Sequence, residues 1–103
     1  MKTKLLSLLG LARRAGRLSL GNDPVLESIR KKESCLLLAA EDLSDRTIKG
    51  IRSSAGEIPM LHLAVSMEEI GAAVGKRAGI LSVNDAGFAN KITEISRELI
   101  VRE

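Results

Sequence analysis

Aromatic side chains are nearly absent from this 103-residue chain, which contains one Phe and neither Trp nor Tyr. Proteins that bind single-stranded nucleic acid by stacking bases on aromatic platforms need several such side chains. The composition therefore argues against that class of binder. Hydrophobic residues still make up 45% of the chain, so the core must be aliphatic, built from Leu, Ile, Val and Ala.

Cysteine is also scarce, and the single thiol of Cys35 cannot form a disulfide within the chain. A chain without disulfides fits a reducing compartment. Long apolar runs are missing as well. The apolar segment 5–12 is too short to span a membrane and lies too early for an ordinary signal peptide. We therefore expect a cytoplasmic protein with no membrane partner.

The residues expected of an enzyme or a metal site are missing too. His62 is the only histidine, and no partner residues stand at the spacing of metal ligands. The segment Gly71–Arg77 resembles a phosphate-binding loop, but it is one residue short between its glycines, and Arg77 replaces the Ser or Thr that binds magnesium. We therefore expect no enzymatic activity, no cofactor and no metal.

Helix-like and strand-like patterns alternate along the whole chain, with short links between them. Apolar runs predict strands at 18–20, 35–40, 58–65 and 79–83. We predict one domain over residues 1–103 with an α/β fold, a three-layer α/β/α sandwich around a small mixed four-stranded sheet. Helices are predicted at about 3–15 and 24–32, after Ser44–Asp45, after the capping box Ser66–Glu69, and after the capping residue Asp85.

Positive charge is concentrated in the first third of the chain. The net charge is +3, from 16 Lys and Arg against 13 Asp and Glu. Residues 1–32 contain eight cations and two acids, a net charge of +6, whereas residues 33–103 contain eight cations and eleven acids, a net charge of −3. A distribution polarised in this way favours a nucleic-acid partner.

The stretch 13–32 combines these charges with two glycines. Gly16 is suited to end the first helix and Gly21 to form an unusual turn, since only glycine adopts left-handed conformations cheaply. Asp23 is predicted to cap the second helix and Pro24 to be its first residue. The free N–H groups of this helix and the nearby cations would face one patch and bind a phosphate-rich ligand, although a capped helix with a solvated basic face is the simpler alternative. The cations concerned are Arg13, Arg14, Arg17, Arg30, Lys31 and Lys32.

Five segments, in this order and spacing, resemble a known family. They are residues 8–18 (LLGLARRAGRL), 21–26 (GNDPVL), 36–42 (LLLAAED), 69–76 (EIGAAVGK) and 83–91 (VNDAGFANK). The chain resembles the kink-turn RNA-binding ribosomal proteins of the L7Ae/L30e type, and within them the small bacterial YlxQ-like branch. The resemblance covers nearly the full length.

The resemblance implies an α/β/α sandwich that binds structured RNA, ribosomal RNA foremost, as a monomer and without enzymatic activity. Ribosomal proteins would be further partners. In this family the loop that opens the second helix contacts sheared G·A pairs at a kink, and the loop before the fourth helix supports a flipped-out nucleotide. The candidate RNA-binding residues are therefore Gly21, Asn22 and Asp23 in the first loop, Ala64, Val65 and Ser66 in the second, and the backbone-binding cations Arg13, Arg14, Arg17, Lys31 and Lys32.

Three positions depart from the family pattern. Asp23 stands where the family has an asparagine, Pro24 where it has a glutamate, and Glu27 where it has a lysine that faces phosphate. Pro24 removes a backbone N–H, and an anion at Glu27 repels RNA where the family attracts it. The alternative function is therefore a protein–protein interaction module on the same fold that has lost kink-turn recognition.

Overall fold

The computed structural model describes residues 2–101, in which helices and strands alternate as predicted. None of the helices in this range is long and apolar enough to cross a lipid bilayer. The helices and strands are α1 (Lys2–Arg14), β1 (Leu18–Leu20), α2 (Asn22–Arg30), β2 (Leu36–Ala39), α3 (Asp45–Ala55), β3 (Met60–His62), α4 (Met67–Val74), β4 (Ile80–Val83) and α5 (Ala86–Ile95), followed by a 3₁₀ turn at Ser96–Glu98.

The four strands form one mixed sheet in the order β1-β4-β2-β3. β4 runs antiparallel to both of its neighbours, β1 and β2, whereas β2 and β3 are parallel. β1, β2 and β3 therefore all point in one direction and β4 points in the other. This topology confirms the predicted sheet.

Helices cover both faces of the sheet and create two aliphatic cores. The two central strands β2 and β4 are completely buried. Along β2, Leu36 and Leu38 pack into one core and Leu37 and Ala39 into the other, because successive strand side chains point to opposite faces. The first core is completed by α1, α4 and α5, and the second by α2 and α3. The predicted three-layer α/β/α sandwich is confirmed.

Three of the predicted helix starts carry the predicted caps. Ser44, Ser66 and Asp85 each accept a hydrogen bond from the backbone N–H three residues later, at 3.2, 3.0 and 2.8 Å respectively. Glu69 accepts in turn from the N–H of Ser66 at 2.9 Å, which completes the capping box. These bonds satisfy N–H groups that have no partner within their helices.

The strand predicted over 58–65 is shorter than expected and covers only Met60–His62. At the end of β3 and just beyond it, the backbone pairs with the C-terminal tail. Leu63 forms an isolated antiparallel bridge with Ile100, and the N–H of Val101 donates to the C=O of His62 at 2.7 Å. The apolar run therefore extends beyond β3, where its backbone pairs with the C-terminal tail. The sequence pattern of the run alone does not reveal this partner.

A hydrogen-bond network of side chains fastens α2 to the sheet. Asn84, directly after β4, donates from Nδ2 to Oγ of Ser19 in β1 at 2.9 Å and to Oγ of Ser28 in α2 at 3.2 Å. Its Oδ1 accepts from Ser82 at 2.6 Å. Ser82 is fully buried and Ser28 nearly so. Since these buried groups have partners, the network fixes one orientation of α2 on the sheet.

The capping box leads to a prediction about acid stability. The backbone N–H of Ser66 and the ammonium of Lys2 hold the pKa of Glu69 below its ordinary value. A carboxylate with a lowered folded-state pKa stabilises the fold above its unfolded pKa and loses that contribution as the pH falls through the folded value. We expect Glu69→Gln, which keeps an acceptor but no charge, to be less stable than wild type at neutral pH and equal to it in acid.

Urea unfolding at a series of pH values measures this difference. Glu68→Gln is the matched control, because the exposed Glu68 makes no hydrogen bond within residues 2–101. Its pH dependence should stay close to that of wild type. A Glu69→Gln variant that follows wild type at every pH would contradict the prediction.

Candidate nucleic-acid interface

The sheet register brings four chain segments together at one end of the sheet. β1, β2 and β3 finish there and β4 begins there. The N–H of Gly21, directly after β1, donates to the C=O of Ile80, the first residue of β4, at 3.0 Å. We call this end the loop edge. It comprises residues 21–24, 41–44, 64–67 and 76–79.

Gly21 sets the start of α2. Its φ of 89° and ψ of 170° lie in a region that is essentially restricted to glycine. Its C=O accepts from the N–H of Val25 at 3.1 Å, so the helix begins at Asn22 and has no side-chain cap. The predictions that Asp23 caps α2 and that Pro24 is its first residue are wrong. Gly21 is the N-cap, and Pro24 is the third helical residue, where a backbone N–H is still not needed.

The first turn of α2 presents polar groups to solvent. Within residues 2–101, the N–H groups of Asn22 and Asp23 have no protein acceptor, and Pro24 has no N–H. All three residues are exposed. The positive end of a helix dipole favours anions at this position. The first turn of α2 therefore offers two backbone donors, one amide side chain and one carboxylate.

The second predicted loop lies at the same edge but is held more tightly than expected. The side chain of Val65 is fully buried, and its C=O accepts from the N–H of Glu41 at 2.8 Å. Ser66 is engaged in the capping box of α4. Val65 therefore belongs to the core and presents no side chain to a ligand. Ala64 and Ser66, both half-buried, are what this loop offers.

A depression of about 400 Å³ lies between the two loops. Leu43 and Met67 form part of its lining, and the N–H of Met67 donates to Oδ1 of Asp42 at 2.9 Å, which joins the loops after β2 and β3. A Cβ at Gly79 would come within 2.7 Å of Leu43 Cδ1 and 2.8 Å of Met67 Sδ. Because Gly79 has no side chain, Leu43 and Met67 can pack over it and form the bottom of the depression. The exposed Arg77 stands at its rim.

A second groove of about 280 Å³ runs between α2 and α3 and shares Asn22 and Thr47 with the depression. Arg46 lines it, together with Leu26 and the small residue Gly50. Among the ion pairs of residues 2–101, neither Arg46 nor Arg77 takes part. Two arginines without carboxylate partners therefore flank one continuous concave surface.

Most of the predicted backbone-binding cations lie at the opposite end of the sheet. Arg17 precedes β1, and its C=O accepts from the N–H of Asn84 at 2.8 Å. Lys31 and Lys32 follow the last residue of α2. Four residue steps separate Arg17 from Gly21, about 13 Å along an extended strand. The expectation that these cations and the α2 amides face one patch is wrong, because α2 runs the length of the sheet between them.

The two arginines at the end of α1 diverge from this group as well. Both are exposed, and Arg14 lines a groove between α1 and α4, on the other face of the sheet from α2. Gly16 ends α1 with a φ of 72°, as predicted. The N–H of Arg17 then donates to the C=O of Ala12 at 2.9 Å, which turns the chain into β1. The cations that are neighbours in sequence are therefore spread over two layers.

Glu27 is paired with cations of its own helix. It accepts hydrogen bonds from Arg30, and its Oε1 lies 3.7 Å from Nζ of Lys31. The hydrogen bond from Arg30, assisted by the charges of both cations, lowers the pKa of Glu27. The carboxylate is therefore drawn toward the C-terminal half of α2, and its charge is partly neutralised there.

Sequence reasoning missed Arg46, Leu43 and Met67 as part of this surface. None belongs to a motif, and Arg46 lies more than twenty residues from Gly21. The available signal was topological, since residues that follow parallel strands collect at one edge of a sheet. Leu43 follows β2 and Met67 follows β3, so strand direction alone places them near Gly21.

Comparison with known proteins gives one family and several relatives. The model of the ribosomal protein L7Ae/L30e/S12e/Gadd45 family matches residues 3–93. A protein of Enterococcus faecium named RNA-binding protein YlxQ is 34% identical over 96 residues, which cover 91% of this chain and 92% of that protein. The protein of the same name from Bacillus subtilis (strain 168) is 36% identical over 90 residues, 85% of this chain and 90% of its own length.

A solved structure also has this architecture. It is described as a protein with unknown function from Bacillus halodurans C, and it superposes with a TM-score of 0.82 at 32% identity. The match covers 89% of this chain and 95% of the other. The similarity therefore extends over nearly the whole fold.

The conformation of Gly21 leads to a stability prediction with a matched control. A Cβ at Gly21 or at Gly50 would meet no atom within 4 Å, but only Gly21 has a positive φ. We expect Gly21→Ala to lower the free energy of unfolding by about 1–3 kcal/mol through backbone strain. Gly50→Ala, inside α3, should raise it by up to about 1 kcal/mol. Urea unfolding of both variants tests this, and equal effects of the two substitutions would contradict it.

Proposed function

Because this chain belongs to the ribosomal protein L7Ae/L30e/S12e/Gadd45 family, we propose that it is a non-enzymatic RNA-binding protein that docks its loop edge on structured RNA. The observation that carries the proposal is the first turn of α2. There, two unpaired backbone N–H groups and two polar side chains face solvent beside a concave surface flanked by arginines. The names of the two YlxQ relatives support RNA as the ligand.

The first turn of α2 supplies groups that suit base edges and phosphate. The carboxamide of Asn22 can donate and accept at once, which suits an adenine edge, and the carboxylate of Asp23 can accept from the N–H groups of guanine. The free backbone N–H groups of both residues are donors for a phosphate oxygen. Gly21 contributes by holding the backbone in the one conformation that exposes them.

The rest of the loop edge would bind the RNA backbone and an unstacked base. Arg46 and Arg77 flank the concave surface and can each pair with phosphate in a bidentate manner. Leu43 and Met67 give the depression an apolar lining, beside the half-buried Ala64 and Ser66. In this proposal Val65 shapes the loop from within the core and does not touch RNA.

The cations at the far end of the sheet would contact a neighbouring part of the same RNA. Arg13, Arg17 and Lys31 are exposed, and Arg17 lies about one strand length, some 13 Å, from Gly21. Arg14 lines the groove between α1 and α4, on the other face of the sheet from α2, and is not assigned to this contact. We propose that the ligand is a kink-turn or a similarly bent element of ribosomal RNA in the cytoplasm, because such an element can touch both ends of α2.

A salt titration of RNA binding tests the proposal. About four phosphate contacts would weaken binding roughly a hundredfold between about 50 and 200 mM salt. We expect a kink-turn hairpin to bind more tightly than an unrelated duplex, as measured by fluorescence anisotropy. Arg77→Glu should weaken hairpin binding about tenfold or more, while Lys91→Glu, an equal charge change on α5, should not.

The outcomes separate the parts of the proposal. Equal, weak binding of hairpin and duplex would remove kink-turn specificity and leave general RNA binding. Failure to bind any RNA at low salt would remove RNA binding itself. An equal loss in Arg77→Glu and Lys91→Glu would leave the loop edge without a special role.

The second candidate function, a protein-interaction module that no longer binds RNA, is motivated by Pro24 and Glu27. If it is correct, wild type binds no RNA, and Glu27→Lys creates affinity by replacing a paired anion with a free cation on α2. Glu33→Lys makes the same charge change beyond the end of α2 and is the matched control. Tight binding by wild type that Glu27→Lys leaves unchanged would exclude this candidate.

A further inference from the structure

A second concave surface lies on the opposite face of the sheet from α2 and α3. It is a groove of about 550 Å³ between α1 and α4, and the RNA-binding proposal does not use it. α1 contributes Leu6, Gly10, Leu11 and Arg14. These residues recur at helical spacing and form one stripe along the helix. α4 contributes Ala72 and Ala73 across the groove.

α1 has apolar side chains on two faces, although burial against the sheet requires only one. The core face carries Leu5, Leu9 and Ala12, all completely buried. Leu6 and Leu11 lie on the groove face, and Leu11 is 50% exposed, the most exposed large hydrophobic side chain in the described residues. A helix that packs against the core with one face requires one apolar stripe. Leu6 is half-buried and packs against the first core, whereas half of the Leu11 side chain is left uncovered by residues 2–101.

The floor of the groove is made of small residues and backbone. A Cβ at Gly10 would lie 3.0 Å from the C=O of Ala73, so α1 and α4 touch at this point. Beyond Glu69 the facing side carries only the alanines Ala72 and Ala73, so the two helices leave a shallow channel between their outer surfaces. Such a channel accepts the side-chain ridge of a third helix.

Cations outnumber acids around the groove, although the first turn of α4 carries Glu68 and Glu69. α1 carries Lys2, Lys4, Arg13 and Arg14 and no acid. The acid that lines the groove, Glu69, is neutralised by Lys2, whose Nζ lies 3.2 Å from its Oε2. Arg14 lines the other end of the groove and takes part in none of the ion pairs of residues 2–101. The apolar channel is therefore set in a cationic surround.

We propose that this groove docks an acidic amphipathic helix of a partner protein. The apolar stripe of that helix would cover Leu6, Leu11 and the two alanines. Its flanking carboxylates would meet the α1 cations that form no ion pair within residues 2–101, namely Arg14, Arg13 and Lys4. A second copy of this chain would instead place α1 against α1, four cations against four. RNA gains little from the site, because phosphate does not cover apolar side chains.

Two helical peptides of about 16 residues, each stabilised by a covalent staple, provide the test. Both carry leucines on one face. One has glutamates on both flanks and the other has lysines in the same places. We expect the acidic peptide to bind at least ten times more tightly than the basic one by fluorescence anisotropy, to weaken as salt is added, and to shift the NMR signals of Leu11 and Ala72. Equal binding of the two peptides, tighter binding of the basic one, or no binding of either overturns the proposal.

Two variants locate the contact. Ala72→Glu puts a charge and extra bulk into the groove and should weaken the acidic peptide at least tenfold, whereas Ala86→Glu makes the same change at an exposed position of α5 and should not. Leu11→Ala should also weaken it several-fold, and unchanged thermal unfolding of each variant shows that the fold is intact. Retained affinity in Ala72→Glu overturns the proposal.

Two further measurements distinguish the other occupants. A dimer in sedimentation equilibrium that is lost in Leu11→Ala would assign the groove to a second copy. Displacement of the peptide by structured RNA, with Ala72→Glu weakening RNA as much as peptide, would assign it to RNA. Either result overturns the proposal without touching the RNA site of the loop edge.

Discussion

Gly21 takes part in two backbone hydrogen bonds, the last one between β1 and β4 and the first one of helix α2. Its N–H donates to Ile80 in β4 and its C=O accepts from Val25 in α2. These two bonds fix the direction in which α2 leaves the sheet, and they require a positive φ that a side chain would oppose. The exposed N–H groups of the next two residues, and the groove between α2 and α3, exist because of that geometry.

The C-terminal half of α2 is held by the side-chain hydrogen bonds of Asn84. Asn84 donates hydrogen bonds to Ser19 in β1 and to Ser28 in α2. Its Oδ1 accepts a hydrogen bond from Ser82 in β4. Together with Gly21, this network holds α2 at both ends against a sheet whose packing is otherwise mainly aliphatic. Aliphatic packing is non-directional. The hydrogen bonds at the two ends therefore supply the direction that the core does not.

Most of the fold could be predicted because each element carries a local signal. Ser44, Ser66 and Asp85 mark helix starts by chemistry confined to four residues, and residues 36–40 before Glu41 are all buried. The site was harder, because a charge pattern read along the chain ignores where the chain turns. Arg17 and Gly21 are four residues apart yet lie at opposite ends of a strand, while Arg77 and Gly21 are distant in sequence and line one depression. Asp23 is not the cap because α2 already begins at Asn22, which places Asp23 inside the first turn of the helix.

The pairing of the C-terminal tail with the chain beyond β3 has a consequence for how molecules of this protein meet one another. β3 is an outer strand of the sheet, and an outer strand with free backbone groups invites a strand from another molecule to add to it. Here the bonds of Ile100 and Val101 occupy part of that edge from within the same molecule. β1, the strand on the other side, is only three residues long. Both edges of the sheet therefore present few free backbone groups to which a strand of another molecule could add.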